Sequence, residues 1–375
     1  MGEDLTNCVE ALSTLSNSML KNSTSHCSEA LKMLETLGPL LFLQNKLAHL
    51  PQMPYPVTSR IHALRSFSPS SATRCYIKRD DELGWGISGN KFRKYRMLIP
   101  QLLAQGYREV VVIGGPFSNH VLAICQLLLE NGLTPTLFLR GLPPQKKIGN
   151  YLMLHMLLPE TAFHFVPKAQ WAQLDAHIAA YVAEKTGVGI LPEGGALFSA
   201  FTGALTLPLD ILNNEQEAGQ AFDHIFLDVG TGYCAAACLL GWAFIHKRTT
   251  CHLAILGGTT ADFYQQLHQL HAAFEIWLGV KCPFPDNFHC YPSELAPAFG
   301  STNRQLFHFV IQTARNEGVF LDPIYSGKLF FLAKQLMQDP GRLTGNVLVV
   351  HSGGALTLAG FQEQLNTSLN SLYLN

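Results

Sequence analysis

The chain has 375 residues, of which 47% are hydrophobic and 14% charged; it is too apolar for a disordered chain and long enough for two domains with their own cores. A formal net charge of −1 gives no electrostatic reason to expect nucleic acid or an anionic membrane as partner. Nine scattered cysteines without a C-x-x-C pair point to reduced thiols, and so to a cytoplasmic protein, rather than to a disulfide framework.

Apolar positions at Leu12, Leu15 and Met19, and again at Leu31, Leu34 and Leu37, predict one or two amphipathic helices in an N-terminal extension of residues 1–50. The first residues are acidic and lack a signal-peptide core, and no apolar run reaches spanning length. Prolines and serines over 51–70 predict a connecting loop. A strand at 75–79 leads through Asp80-Asp81 and a turn of small residues to Lys91, with a helix predicted over 92–103.

From there strands at 109–113, 135–139, 163–166 and 188–191 alternate with helices such as 121–131 and 169–186. A second set of strands follows at 224–229, 251–256, 288–291 and 346–351. The alternation predicts an α/β chain of two domains, each an open, mostly parallel sheet flanked by helices, with a ligand cleft at the carboxyl ends of the strands. Boundaries near Gly89 and Gly203 assign 51–90 with 204–375 to a large domain and 91–203 to a small one.

Several turns carry groups suited to chemistry. Lys91, with Arg93 and Lys94 beside it, suits an amine kept partly unprotonated for Schiff-base formation; an ordinary basic helix start is the alternative. Ser118-Asn119-His120 opens a helix and suits either a carboxylate or a plain N-cap. The run Gly230-Thr231-Gly232-Tyr233-Cys234 follows a strand and suits a phosphate cup. It also fits G-x-G-x-x-A, but the next strand ends Leu256-Gly257-Gly258, without the acid a ribose requires. Phe299, Tyr325, Ser326 and Ser352 each stand at an element boundary. No H-E-x-x-H run occurs, and His268 and His271 lack a third ligand nearby, so no metal is expected.

In order, G-N-K-x-R-K at 89–94, G-G-x-x-S-N-H at 114–120, P-E-G-G at 192–195, D-P-x-Y-x-G-K at 322–328 and H-x-G-G at 351–354 closely resemble the 1-aminocyclopropane-1-carboxylate deaminase and D-cysteine desulfhydrase family. The resemblance runs from about Pro54 to the C-terminus and implies a pyridoxal-phosphate enzyme of tryptophan synthase β-like fold, with the cofactor between the two domains. It implies that Lys91 carries the cofactor, that Lys94 and the 230–234 loop hold its phosphate, and that Asn119 meets its 3′-oxygen. Ser118, Asn119 and His120 then face the substrate carboxylate, and Tyr325 lies over cofactor and substrate. Family members that open the cyclopropane ring carry Glu at the Ser326 position, where it meets the pyridine nitrogen, and Leu at the Ser352 position. Hydroxyls at both, with His120, follow the desulfhydrase branch, and imply a weaker electron sink suited to elimination of thiolate.

Two departures stand out: Tyr233-Cys234 in the phosphate loop, and Phe299 where the family has a second tyrosine. The implied activity is α,β-elimination from a small amino acid, D-cysteine first, with 1-aminocyclopropane-1-carboxylate deamination as the alternative. A cofactor-bearing amino-acid-binding or regulatory protein is the alternative from a different class, and a homodimer is expected by analogy.

Overall fold

A computed structural model describes residues 23–68, 72–84, 89–339 and 341–373. The helical positions predicted at Leu12, Leu15 and Met19, and residues 85–88 of the lysine turn, lie outside the described residues. Among the described residues, ten strands form two sheets. β1 (Ile61–Ala63), β2 (Thr73–Lys78), β7 (His224–Val229), β8 (Thr250–Ile255), β9 (Phe288–Pro292) and β10 (Gly345–Val350) make a six-stranded sheet of order β1-β2-β10-β7-β8-β9. β3 (Glu109–Gly114), β4 (Thr134–Arg140), β5 (Phe163–Val166) and β6 (Val188–Leu191) make a four-stranded sheet of order β5-β4-β3-β6. All pairings are parallel except that of β1 with β2.

Parallel strands covered by helices are buried on both faces, and β7 shows how the sequence meets this demand. Ile225, Leu227 and Val229 point to one face, against Trp242 and Phe244 of the following helix. Phe226 points to the other, among Leu329 and Phe330. Phe226 is fully buried, so truncating it to Ala costs about 3–5 kcal/mol. By the same alternation His224 and Asp228 share the Phe226 face, which leaves a carboxylate near the carboxyl end of a central strand.

α1 (Ser23–Ala48) carries Leu31, Leu34 and Leu37 and bends at Gly38-Pro39, where Gly38 has φ +74°. Its second half buries Phe42, Leu43 and Leu47 in the larger core. Two expectations are corrected. The region 51–70 is not all loop: the three residues of β1 pair on the sheet edge, too few to give a readable alternation. The helix expected over 169–186 is a 3-10 turn at Lys168–Gln173 followed by a helix at Leu174–Val182, and only Ile178 of that helix is buried.

The two sheets meet where their strands end. A Cβ on Gly194, after β6, would lie 2.2 Å from the Thr231 methyl after β7. Gly89 has φ +69°, and a Cβ there would lie 1.6 Å from the Ser352 carbonyl oxygen, so only glycine lets the lysine turn lie on the end of β10. Asn90 N–H then donates to that carbonyl at 3.2 Å.

Candidate active site

The first turn of α2 (Asn90–Ala104) is where the two sheets and the chemistry converge. Residues three and four apart share a helix face, so Lys91, Lys94 and Tyr95 point one way and Arg93 another. Arg93 is fully buried, with Nη2 2.7 Å from both Asp80 and Asp210. Lys78 Nζ completes the cluster at 2.5 Å from Asp210. Two cations and two carboxylates cancel there, and burial, which alone would raise Asp80, is outweighed by Arg93 and Lys78. The grouping of Arg93 with the lysines as neighbouring cations is therefore corrected: its charge is neutralised on the opposite side, where it anchors the helix.

Lys91 is half-buried, with Nζ 5.9 Å from the centre of the Tyr325 ring. Lys94 is only 4% exposed; its Nζ donates to the Gly194 carbonyl at 2.5 Å and lies 5.5 Å from the Tyr233 ring centre. Burial pulls its pKa down to about 8, and Lys91 pulls the same way. Among the described residues no carboxylate pairs with it, so it is a buried cation that lacks an anion. The candidate anion site is beside it. Gly230 to Gly232 turn from β7 into α3 (Tyr233–Phe244), and a helix start aims backbone N–H groups at an anion. Thr231 is exposed, Tyr233 buried, and the Cys234 thiol is pushed up to about 11 by burial, so it is neutral.

Ser118 caps the helix Asn119–Glu130, its Oγ accepting from His120 N–H and Val121 N–H at 3.2 and 3.4 Å; its hydroxyl proton remains to donate. Asn119 Oδ1 accepts from Asn150 at 2.7 Å and Thr357 at 2.8 Å. That fixes the amide orientation and leaves its NH2 facing Gly354, whose Cβ would lie 2.8 Å away. His120 is buried, and burial with the nearby Lys94 and Lys91 keeps it neutral. Burial also holds the Tyr95 phenol protonated, so Tyr95 donates to His120 Nδ1, and the imidazole proton sits on Nε2, which has no partner among the described residues.

Tyr325 precedes the helix Ser326–Gln338, and burial, with Asp322 and Asp228 behind it, holds its phenol far above the usual range. Phe299 is 65% exposed and meets the Tyr325 ring edge-on at 6.2 Å. Ser326 Oγ donates to Asp322 Oδ2 at 2.6 Å and accepts from Asp322 N–H at 2.7 Å, so its hydroxyl is engaged within its own loop. Burial raises the Asp228 carboxyl above the usual range, with Lys91 and Ser352 nearby opposing the shift. The predicted residues thus cluster around one cleft, apart from Ser326, which is shut behind Asp322. Tyr95, Asn150, Asp228 and Thr357 escaped the sequence reading, because each is far in sequence from the residue it supports or, like Tyr95, has no motif of its own; Asp322 stood in the D-P-x-Y-x-G-K motif without a role.

Comparison with known proteins decides the family. Residues 55–353 match the family model described as pyridoxal-phosphate dependent enzyme. The chain belongs to that family. It is 26% identical to the D-cysteine desulfhydrase of Serratia proteamaculans, with 86% of this chain and 99% of that one covered. It is 28% identical to the mitochondrial bifunctional D-cysteine desulfhydrase/1-aminocyclopropane-1-carboxylate deaminase of Arabidopsis thaliana, over 88% and 82%. A crystal structure of an ACC deaminase homologue superposes with a TM-score of 0.75 at 26% identity, over 87% of this chain and 98% of that one.

The site of this pyridoxal-phosphate enzyme fits its cofactor. A desolvated Lys94 with no acid paired to it among the described residues, beside a glycine turn at a helix start, suits a phosphate, which as a dianion offsets the charge. Asn119, locked as a donor, suits a ring oxyanion, and Lys91 on the same helix face suits attachment through its amine.

Proposed function

We propose that this enzyme is a lyase that deaminates a small amino acid, with α,β-elimination from D-cysteine to pyruvate, ammonia and sulfide as its reaction. The observation that carries the choice is that the Ser326 position holds no carboxylate and its hydroxyl is bonded into the Asp322 loop. The hydroxyl at Ser352 and the imidazole of His120 support the same branch. The names of the relatives, one of which joins both activities, support the substrate class.

Bound pyridoxal phosphate supplies an electron sink for the charge left when the substrate Cα–H bond breaks. Lys94, the backbone from Gly230 to Cys234 and the Thr231 hydroxyl hold its phosphate, and Asn119 donates to its 3′-oxygen. With substrate bound, the Lys91 amine would take the Cα proton on Nζ. The Ser118 hydroxyl and the helix start behind it bind the substrate carboxylate, flanked by His120. Tyr325 keeps its proton at working pH, so it orients the substrate and donates rather than acting as a base. Phe299 fills space beside it and exchanges no proton. Departure of thiolate from Cβ needs no strong acid, which suits this proton inventory. We place residues 51–90 and 204–375 in a large domain and 91–203 in a small one, in a cytoplasmic homodimer; parallel sheets built from those segments and free thiols support this reading.

The test is the visible spectrum of the purified enzyme followed by added D-cysteine. Sulfide and pyruvate released in equal amounts are expected. Release of 2-oxobutyrate from 1-aminocyclopropane-1-carboxylate, with no sulfide from D-cysteine, overturns the desulfhydrase reading in favour of the ring-opening one.

A further inference from the structure

We propose that Thr357 is a positioning residue: its hydroxyl locks the Asn119 amide as a hydrogen-bond donor to the cofactor, and thereby sets how firmly the bound cofactor holds its proton at the Lys91 linkage. The proposal rests on the reading above, in which Asn119 meets the cofactor's 3′-oxygen.

An amide side chain can present its oxygen or its NH2, and its neighbours decide which. Asn150 Nδ2 donates to the Phe117 carbonyl at 3.0 Å and to Asn119 Oδ1 at 2.7 Å, so both of its N–H bonds are in use. A backbone carbonyl only accepts, which fixes Asn150 as the donor and Asn119 as the acceptor between them. Thr357 Oγ1 donates to the same Asn119 Oδ1 at 2.8 Å. The two donors fill the two lone pairs of Oδ1, and a flipped Asn119 would set its NH2 against the NH2 of Asn150. The Asn119 NH2 is therefore left against Gly354, with no acceptor bonded to it among the described residues.

The two donors come from different parts of the fold. Asn119 and Asn150 stand in the first turns of the helices Asn119–Glu130 and Gly149–Leu157, beside the four-stranded sheet. Thr357, 238 positions from Asn119, is buried in a 3-10 turn at Ala355–Gly360, a few residues beyond β10 of the six-stranded sheet. That turn is held from both sides. Leu356 packs on the core that includes Val110 and Leu137, and Leu358 on the core that includes Val347 and Val349. Gly149 has φ +53°, and a Cβ there would lie 2.9 Å from the Gly360 Cα, so glycine lets the helix start close on the turn. A hydrogen bond donated to the 3′-oxygen stabilises negative charge on it. An oxygen held in this way attracts the neighbouring proton less, so the proton at the Lys91 linkage leaves at lower pH. Thr357 acts on the cofactor through Asn119.

The experiment loads wild type, Thr357→Val, Thr357→Ser, Asn150→Asp and Asn119→Ala with pyridoxal phosphate. It measures the cofactor bound per chain and, without substrate, the midpoint of the pH titration of its visible absorbance. Thr357→Val keeps the shape and loses the donor, and should raise the midpoint by about 0.5–1 pH unit, the equivalent of one hydrogen bond. Thr357→Ser keeps the hydroxyl and should stay with wild type. Asn150→Asp turns the Asn119 NH2 toward the new carboxylate and should raise the midpoint further. A valine variant that binds cofactor and keeps or lowers the wild-type midpoint overturns the proposal. So does a serine variant that moves as far as valine, because packing and not the hydroxyl is then at work. A wild type whose band does not titrate wherever the protein stays folded overturns it too. If Asn119→Ala leaves the midpoint unmoved, the placement of Asn119 at the 3′-oxygen fails; if wild type binds no cofactor, the site assignment fails. Thr357→Ala gives the reading should the valine variant misfold.

Discussion

Lys94→Met should make the cofactor-free protein more stable and the loaded protein less so. Burial lowers Lys94 from the usual 10.5 to about 8. At about 1.4 kcal/mol per pH unit this corresponds to about 3 kcal/mol against folding wherever the amine is charged in both states. The sign follows from the depressed folded value: the penalty is complete below pH 8, shrinks between 8 and 10.5, and vanishes above, where both states are neutral. Methionine removes the penalty but leaves the Gly194 carbonyl without its donor, which returns about 1 kcal/mol. The net gain of about 2 kcal/mol corresponds to about 3 °C in Tm for a chain of this length. Differential scanning of both cofactor-free proteins from pH 7 to 10.5 should show the gap closing with rising pH, and inorganic phosphate should narrow it at pH 7 by stabilising only the wild type. With pyridoxal phosphate the order should reverse, affinity falling about 10- to 100-fold for one lost charge-assisted bond. A variant equal to or less stable than wild type across this range, with or without phosphate, refutes the view of Lys94 as a buried cation awaiting an anion.

Arg93→Met should cost about 3–5 kcal/mol in denaturant titration, because Asp80 is left buried without its main partner. The gap should shrink in acid, since Arg93 and Lys78 hold Asp80 below the usual 3.8 and that stabilisation is lost as the pH falls through the folded value. Tyr95→Phe strips the donor from His120 Nδ1 and should cost about 1–3 kcal/mol, with the imidazole 15N shifts showing the proton no longer confined to Nε2. Phe299→Tyr places a phenol on an exposed ring beside Tyr325, and kcat/KM for D-cysteine should change by less than about tenfold, because thiolate departs without an added acid. A larger rise would show that the missing phenol limits the reaction.

Strands β2 to β10 were legible because parallel strands write themselves as short apolar runs bounded by turns, and five turn motifs in order pointed to the cofactor. What stayed hidden was the state of each motif residue. Lys91, Arg93 and Lys94 read as one basic cluster, yet the direction of Arg93 depends on Asp210, 117 positions away. Ser326 and Ser352 read as equivalent hydroxyls, yet Ser326 is engaged by the Asp322 loop while Ser352 stands at the end of β10 under the lysine turn. β1 was missed because three residues on a sheet edge carry no period. Local pattern specifies elements; which polar group meets which is decided by strand order, and strand order is not local.

That distinction explains how one helix turn serves both stability and chemistry. Arg93 is held by two carboxylates from residues before and well after it, and the two anions are balanced by Arg93 and Lys78, so this cluster has no charge to spare. The helix period then turns Lys91 and Lys94 toward the cleft, where among the described residues no acid pairs with either. The imbalance is local: two lysines face a glycine turn and a neutral thiol. On the function proposed above, a phosphate bound at that turn neutralises Lys94. Burial of the Lys94 charge, with a smaller contribution from Lys91, is the cost the cofactor-free fold carries, and on the proposed function cofactor binding relieves it. The Arg93 cluster holds the other side of the same helix turn.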